Sequence, residues 1–249
     1  MTRWSVEPLL LTSARLSTFR QGQILTGASG FFFRRDDRLF LVTSRHVLID
    51  EASGHFPDRI QIELHVDASD LAKSTGFSMP LYHDGEPAWR QGADASGEID
   101  VAVIEIDGAA LPEPTIYRAF TPAHLPSGSE KIETGASLLV VGFPLGFHDT
   151  WHHMPVVRGG VIASSFGLRF QGQGFFLTDV RTHRGASGSP VVTRAAKPAR
   201  KGRAAALDPP WLLIGVHSTR FDVARDTELD EALGLNCAWY ADILMSLTE

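Results

Sequence analysis

At 249 residues the chain is long enough to bury a sizeable core, and its many valine, isoleucine, leucine and phenylalanine residues exclude a disordered polymer. A formal charge of −6 is too mildly acidic for wholesale binding to nucleic acid or an anionic membrane. The single cysteine, Cys237, excludes an intramolecular disulfide and points to a reducing compartment.

In chain order, Glu7 and Pro8 stand where a secretory signal would carry its apolar stretch. No segment approaches the ~18 apolar residues of a membrane span, so the expected location is the cytoplasm, with no membrane partner. Residues 31–33 and 39–43 are apolar and bracket the charged stretch 34–38, a hairpin pattern. Residues 60–66 alternate with period two, which predicts one buried face. Residues 101–106 form another apolar run, followed by a proline-rich stretch over 108–127 that reads as a crossing between halves. Further strands are predicted over 137–142, 156–163, 175–180, 190–193 and 211–216. Residues 226–233 read as a short helix or a loop, and 242–247 as a closing helical turn. The basic stretch 193–210 reads as a solvated loop. The pattern is all-β with little helix, consistent with a sandwich or barrels.

Three positions carry the chemistry. Ser187 lies between Gly185 and Gly188, in a turn tight enough to expose a hydroxyl and to leave amide N–H groups pointing at what it attacks. His46 follows the apolar strand 39–43, and an imidazole with an ordinary pKa of about 6.5 can take and return a proton near neutrality. Asp100 stands at the mouth of the strand 101–106, where a carboxylate can orient an imidazole. His148, His152 and His153 have the residue types of a metal site but fall in a polar loop, and no metal or cofactor is expected. Cys237 reads as a small apolar core residue, and His183 as pointing away from the nucleophile turn.

The stretches Thr43–Val47, Asp100–Val103 and Gly185–Pro190, in this order, resemble the chymotrypsin-like (trypsin-fold) serine proteases, in particular their bacterial disulfide-free branch. Residues 140–146, 155–161 and 211–218 also look like strands of that branch. The resemblance implies two antiparallel six-stranded β-barrels with a short C-terminal helix, residues 1–115 carrying His46 and Asp100, and residues 116–249 carrying Ser187 and the primary pocket. It implies an endopeptidase in which Ser187 attacks, His46 is the base, Asp100 orients it, and the N–H groups of Gly185 and Ser187 form the oxyanion hole. Its partner is a protein or peptide substrate, with control by a regulatory protein or a mobile cleft as an accompanying expectation. Ala186 replaces the aspartate of zymogen-type relatives, which removes activation by N-terminal cleavage. Arg45, beside His46, is expected to point outward.

Arg181 sits where trypsin-like relatives keep an acid, which argues against basic substrates. Thr182 and His217 match the pocket residues of glutamyl endopeptidases and picornaviral proteases, and imply cleavage after Glu, with Gln second. Ser218 and Arg220 complete the expected substrate-lining set, Arg220 as an occluding group or an added cation. The competing reading is a protease-fold module that holds a peptide or partner without cleaving it, favoured by a displaced Asp100 or a pocket filled by Arg220.

Overall fold

The structure is a computed structural model and describes residues 6–195, 209–218 and 233–249. Arg220, most of the 193–210 loop and nearly all of the 226–233 segment lie outside the described residues. Fifteen strands are described: β1 (Ser13–Arg20), β2 (Gln23–Arg35), β3 (Arg38–Thr43), β4 (Arg59–His65), β5 (Ser74–Pro80), β6 (Tyr82–His83), β7 (Glu86–Pro87), β8 (Trp89–Asp94), β9 (Gly97–Ile106), β10 (Ser137–Gly142), β11 (Val156–Ile162), β12 (Phe175–Asp179), β13 (Pro190–Arg194), β14 (Trp211–Ser218) and β15 (Asn236–Tyr240). Two short helices, α1 (Arg45–Leu48) and α2 (Ile243–Leu247), complete the main elements. Among the described residues no helix is long and apolar enough to cross a membrane.

The strands form two units. The first is a seven-stranded sheet in the order β5-β4-β1-β2-β3-β9-β8, and the second is a closed six-stranded barrel in the order β10-β11-β12-β15-β14-β13. All the described ladders are antiparallel. The all-β architecture with a short C-terminal helix is as the sequence implies. The first unit has seven strands where six were implied, because β5 extends the sheet beyond β4 and β8 pairs with the outer side of β9.

Burial on two faces explains the apolar runs. In β2, Phe31 and Phe33 point into a cluster with Val141, Val192, Leu213 and Trp239 of the barrel, while Phe32 points into the first unit's own core. In β3 and β9 the same alternation sends Phe40, Val42, Val101 and Val103 to the shared cluster, and Leu39, Leu41, Ala102 and Ile104 inward. A strand buried on both faces loses the polar-apolar alternation and reads as a continuous apolar segment. Each fully buried Phe, such as Phe31 and Phe33, contributes roughly 1.5–3 kcal/mol. The shared cluster therefore clamps the two units together and fixes the ends of β3 and β9, from which His46 and Asp100 project. Helix α2 follows the barrel but docks on β8: Arg90 Nη1 donates to Leu247 O at 3.3 Å, and Ile243 packs over Gly92.

Candidate active site

After β3 the chain turns at Ser44, whose extended backbone opens the single helical turn α1. Buried Val47 and Leu48 anchor that turn and leave His46 on its other side. The turn lies over the start of β9, where Asp100 accepts two bonds from His46: backbone N–H to Oδ1 at 2.9 Å and ring Nδ1 to Oδ2 at 2.7 Å. Ser218 Oγ donates to Oδ2 at 2.8 Å. Burial raises the Asp100 pKa, but the nearby imidazole and these three donors outweigh it and hold the carboxyl below its ordinary range. An ionised Asp100 requires a hydrogen on Nδ1 of His46, which leaves Nε2 to exchange a proton. Arg45 turns away, as expected, to Gln91 Oε1 at 2.5 Å and Glu51 Oε1 at 2.8 Å.

Ser187 is placed by glycines and by carbonyl direction. Gly188 has φ +83°, and a Cβ there would stand 2.9 Å from Thr43 Cα, so this turn meets the end of β3 at a distance open only to glycine. Gly185 has φ +88°, and its Cβ would stand 2.8 Å from Phe143 O. The Arg184 carbonyl accepts from Leu145 N–H at 2.6 Å. Because the peptide unit is planar and trans, the Gly185 N–H points away from Leu145.

Two β14 residues draw the three segments together. The His217 carbonyl accepts from Gly188 N–H at 2.8 Å and from Ser44 Oγ at 3.3 Å, so the chain after Ser187 and the chain before His46 meet on one oxygen. Ser218, next in sequence, bonds Asp100. Ser218, expected among the substrate-lining residues, turns its hydroxyl to the carboxylate. Ser29 makes a second junction that sequence reasoning missed. Its Oγ donates to Gly185 O at 2.8 Å and accepts from Phe143 N–H at 2.9 Å, while its own N–H donates to Ser187 O at 3.1 Å. The signal was the small-residue run Gly27–Gly30 in a strand otherwise rich in phenylalanine, a mark of close approach.

Thr182 and His217 are brought together, with Oγ1 and Nε2 3.0 Å apart. Thr182 Oγ1 also donates to Asn236 Oδ1 at 2.9 Å, a contact the sequence did not predict. His217 is fully buried, and this burial lowers its pKa to about 3, helped by the charge of His46, so its imidazole is neutral. Arg181 is exposed, and its carbonyl accepts from Arg158 Nε at 2.9 Å. His183 is exposed, and Cys237 is buried in the shared cluster. His148, His152 and His153 each have a separate neighbour: Gly146 O, Asp149 Oδ2 and Glu63 Oε1, at 2.5, 2.7 and 2.8 Å. Among the described residues no group of three or more His, Cys, Asp or Glu side chains is arranged to hold a metal ion.

Fold and site define a two-unit β protein with a histidine–carboxylate pair on one unit and a glycine-flanked serine on the other. The family model of the trypsin-like peptidase domain matches residues 28–197, and the chain belongs to that family. The fold is similar to that of the serine endoprotease from Yersinia pestis, at 16% identity and a TM-score of 0.53. That match covers 96% of this chain, which spans 62% of the solved one. No curated protein matches the sequence.

Proposed function

We propose that the chain is a serine endopeptidase acting on protein or peptide substrates, with His46, Asp100 and Ser187 as its triad. The observation that carries this reading is the convergence on His217 and Ser218, through which the segments of all three residues are hydrogen-bonded. Ser187 Oγ attacks the scissile carbonyl carbon as His46 Nε2 takes its proton. The carbonyl oxygen becomes an oxyanion that accepts from the N–H groups of Gly185 and Ser187. As the C–N bond breaks, His46 returns the proton to the leaving amine, and an acyl-enzyme ester remains on Ser187. Water, deprotonated by His46, then hydrolyses the ester and restores the serine. Asp100 stays ionised throughout and stabilises the imidazolium.

Thr182 and His217 form the base of the primary pocket in this reading, which favours cleavage after Glu or Gln. Their 3.0 Å contact supports it, since the two side chains are neighbours despite lying 35 residues apart.

Turnover of a peptide library with every residue represented before the scissile bond tests both levels. The expected result is cleavage after Glu or Gln, abolished in Ser187→Ala. Cleavage led by Lys, Arg or bulky apolar residues would remove the pocket assignment but keep the triad. No cleavage by well-folded protein would favour a binding module.

A further inference from the structure

We infer that Ser29 is a positioning residue: its hydroxyl, supplied by the first unit, closes a hydrogen-bonded ring that fixes the peptide carrying the Gly185 N–H. The inference rests on the reading of Ser187 as the nucleophile and of that N–H as an oxyanion donor.

The direction of each bond in the ring is forced. Ser29 lies fully buried in β2. The Phe143 N–H, 2.9 Å from Ser29 Oγ, can only donate, so the serine oxygen accepts there. The Gly185 carbonyl, 2.8 Å away, can only accept, so the one hydroxyl hydrogen goes to it. Two residues after Phe143, the Leu145 N–H donates to the Arg184 carbonyl at 2.6 Å. Arg184 and Gly185 are consecutive, so the ring closes through Ser29, Phe143, Leu145, Arg184 and Gly185. The peptide that carries the Gly185 N–H is thereby held at its own carbonyl by Leu145, and at the next carbonyl along by Ser29.

The neighbouring carbonyls are held by backbone. His183 O accepts from Ala186 N–H at 3.1 Å, Ala186 O from Ser189 N–H at 3.0 Å, and Ser187 O from the Ser29 N–H at 3.1 Å. Among the described residues, Gly185 alone of the five from His183 to Ser187 has a carbonyl that depends on a side chain. Leu145 is the strained member of the ring. Its backbone is left-handed, with φ +54° and ψ 21°, which costs a residue with a Cβ. Its side chain is 71% exposed, so hydrogen bonds rather than packing hold it in that conformation. Without the Ser29 hydroxyl, Phe143 N–H and Gly185 O lose their partner, and Leu145 can relax and swing its N–H off the Arg184 carbonyl. The Gly185 N–H then turns with its peptide. A misaimed oxyanion donor weakens the transition state and spares the bound substrate. Ser29→Ala should lower kcat by about 10- to 100-fold and leave KM within about twofold.

The test compares two ligands built on the best-cleaved library peptide, one ending in an aldehyde and one in the matching alcohol. Ser187 Oγ adds to the aldehyde carbon as its proton passes to His46, and the carbonyl oxygen becomes the oxyanion. The alcohol forms no such bond and reads ground-state binding alone. Both affinities and kcat are measured on protein shown to be folded by near-UV circular dichroism. In Ser29→Ala, aldehyde affinity and kcat should fall together while alcohol affinity stays put. Ser29→Cys, nearly isosteric and a weak donor, should fall between wild type and Ser29→Ala, and it carries the test if the alanine variant does not fold. A folded variant with the wild-type kcat and aldehyde affinity would overturn the inference and leave the proposed triad standing. Equal losses for aldehyde and alcohol would overturn it too, by showing general damage to the cleft. A wild-type protein that cleaves no library peptide would bring down the endopeptidase reading and the role of Ser29 with it.

Discussion

The two walls of the site are built by different physics. On the first, a buried carboxylate gathers donors: the backbone and ring of His46 and the hydroxyl of Ser218. On the second, the Ser187 turn is shaped by two glycines at positive φ and by the direction of carbonyls, with Ser29 bridging the units. The first wall therefore depends on charge, and the second on the absence of Cβ atoms. The chemistry proposed at Ser187 needs both, so a substitution that spares one wall and damages the other separates them.

Asp100→Asn should give the largest effect. It keeps the shape of the first wall but removes the charge and turns an acceptor into a donor toward His46. Steady-state kcat should fall by about 10⁴-fold. A loss below tenfold would mean that the carboxylate is not what orients the imidazole. Gly185→Ala tests the second wall: a Cβ 2.8 Å from Phe143 O, at φ +88°, should rotate the peptide and remove one oxyanion donor. A fall of about 10²–10³-fold in kcat, with KM nearly constant, is expected.

Smaller effects sharpen the contrast. Ser29→Ala leaves the Phe143 N–H without an acceptor and the Gly185 carbonyl without a donor, so unfolding free energy should drop by about 1–3 kcal/mol in denaturant titration. The walls should also differ in acid. His217, buried beside the second wall, has a folded pKa of about 3 against an ordinary 6.5, so the unfolded chain binds its proton first. Stability should therefore decline as pH falls from about 6.5 toward 3, by up to ~1.4 kcal/mol per pH unit from this one group. His217→Gln should flatten that stretch of the curve. Asp100 contributes in a lower window: its folded pKa is depressed, so its stabilisation fades only as pH falls through that value, below the usual carboxylate range. Ser218→Ala removes one of three donors to Asp100 and should cost least, a few-fold in kcat/KM.

Much of this was legible in the sequence, for a physical reason. The strands buried on both faces, β2, β3 and β9, announce themselves as apolar runs, and the triad candidates stand at their ends or in a glycine-rich turn. The elements missed were quieter. In β1, the buried positions alternate with Ser13, Arg15 and Ser17, and β8 is a partly exposed edge strand whose residues carry little pattern. The cross-links were least legible of all. Ser29 and Gly185 lie 156 residues apart, and Thr182 and Asn236 lie 54 apart, so nothing local marks these short polar side chains. The Ser29 bridge exists only once the two units have met, and the Thr182–Asn236 bond only once the barrel has closed.

Reaction with a fluorophosphonate, read by intact mass and peptide mapping across pH, tests the central claim most directly. One adduct is expected, on Ser187, absent in Ser187→Ala and strongly slowed in His46→Ala. No adduct on folded protein, or an adduct on a different serine, would contradict it.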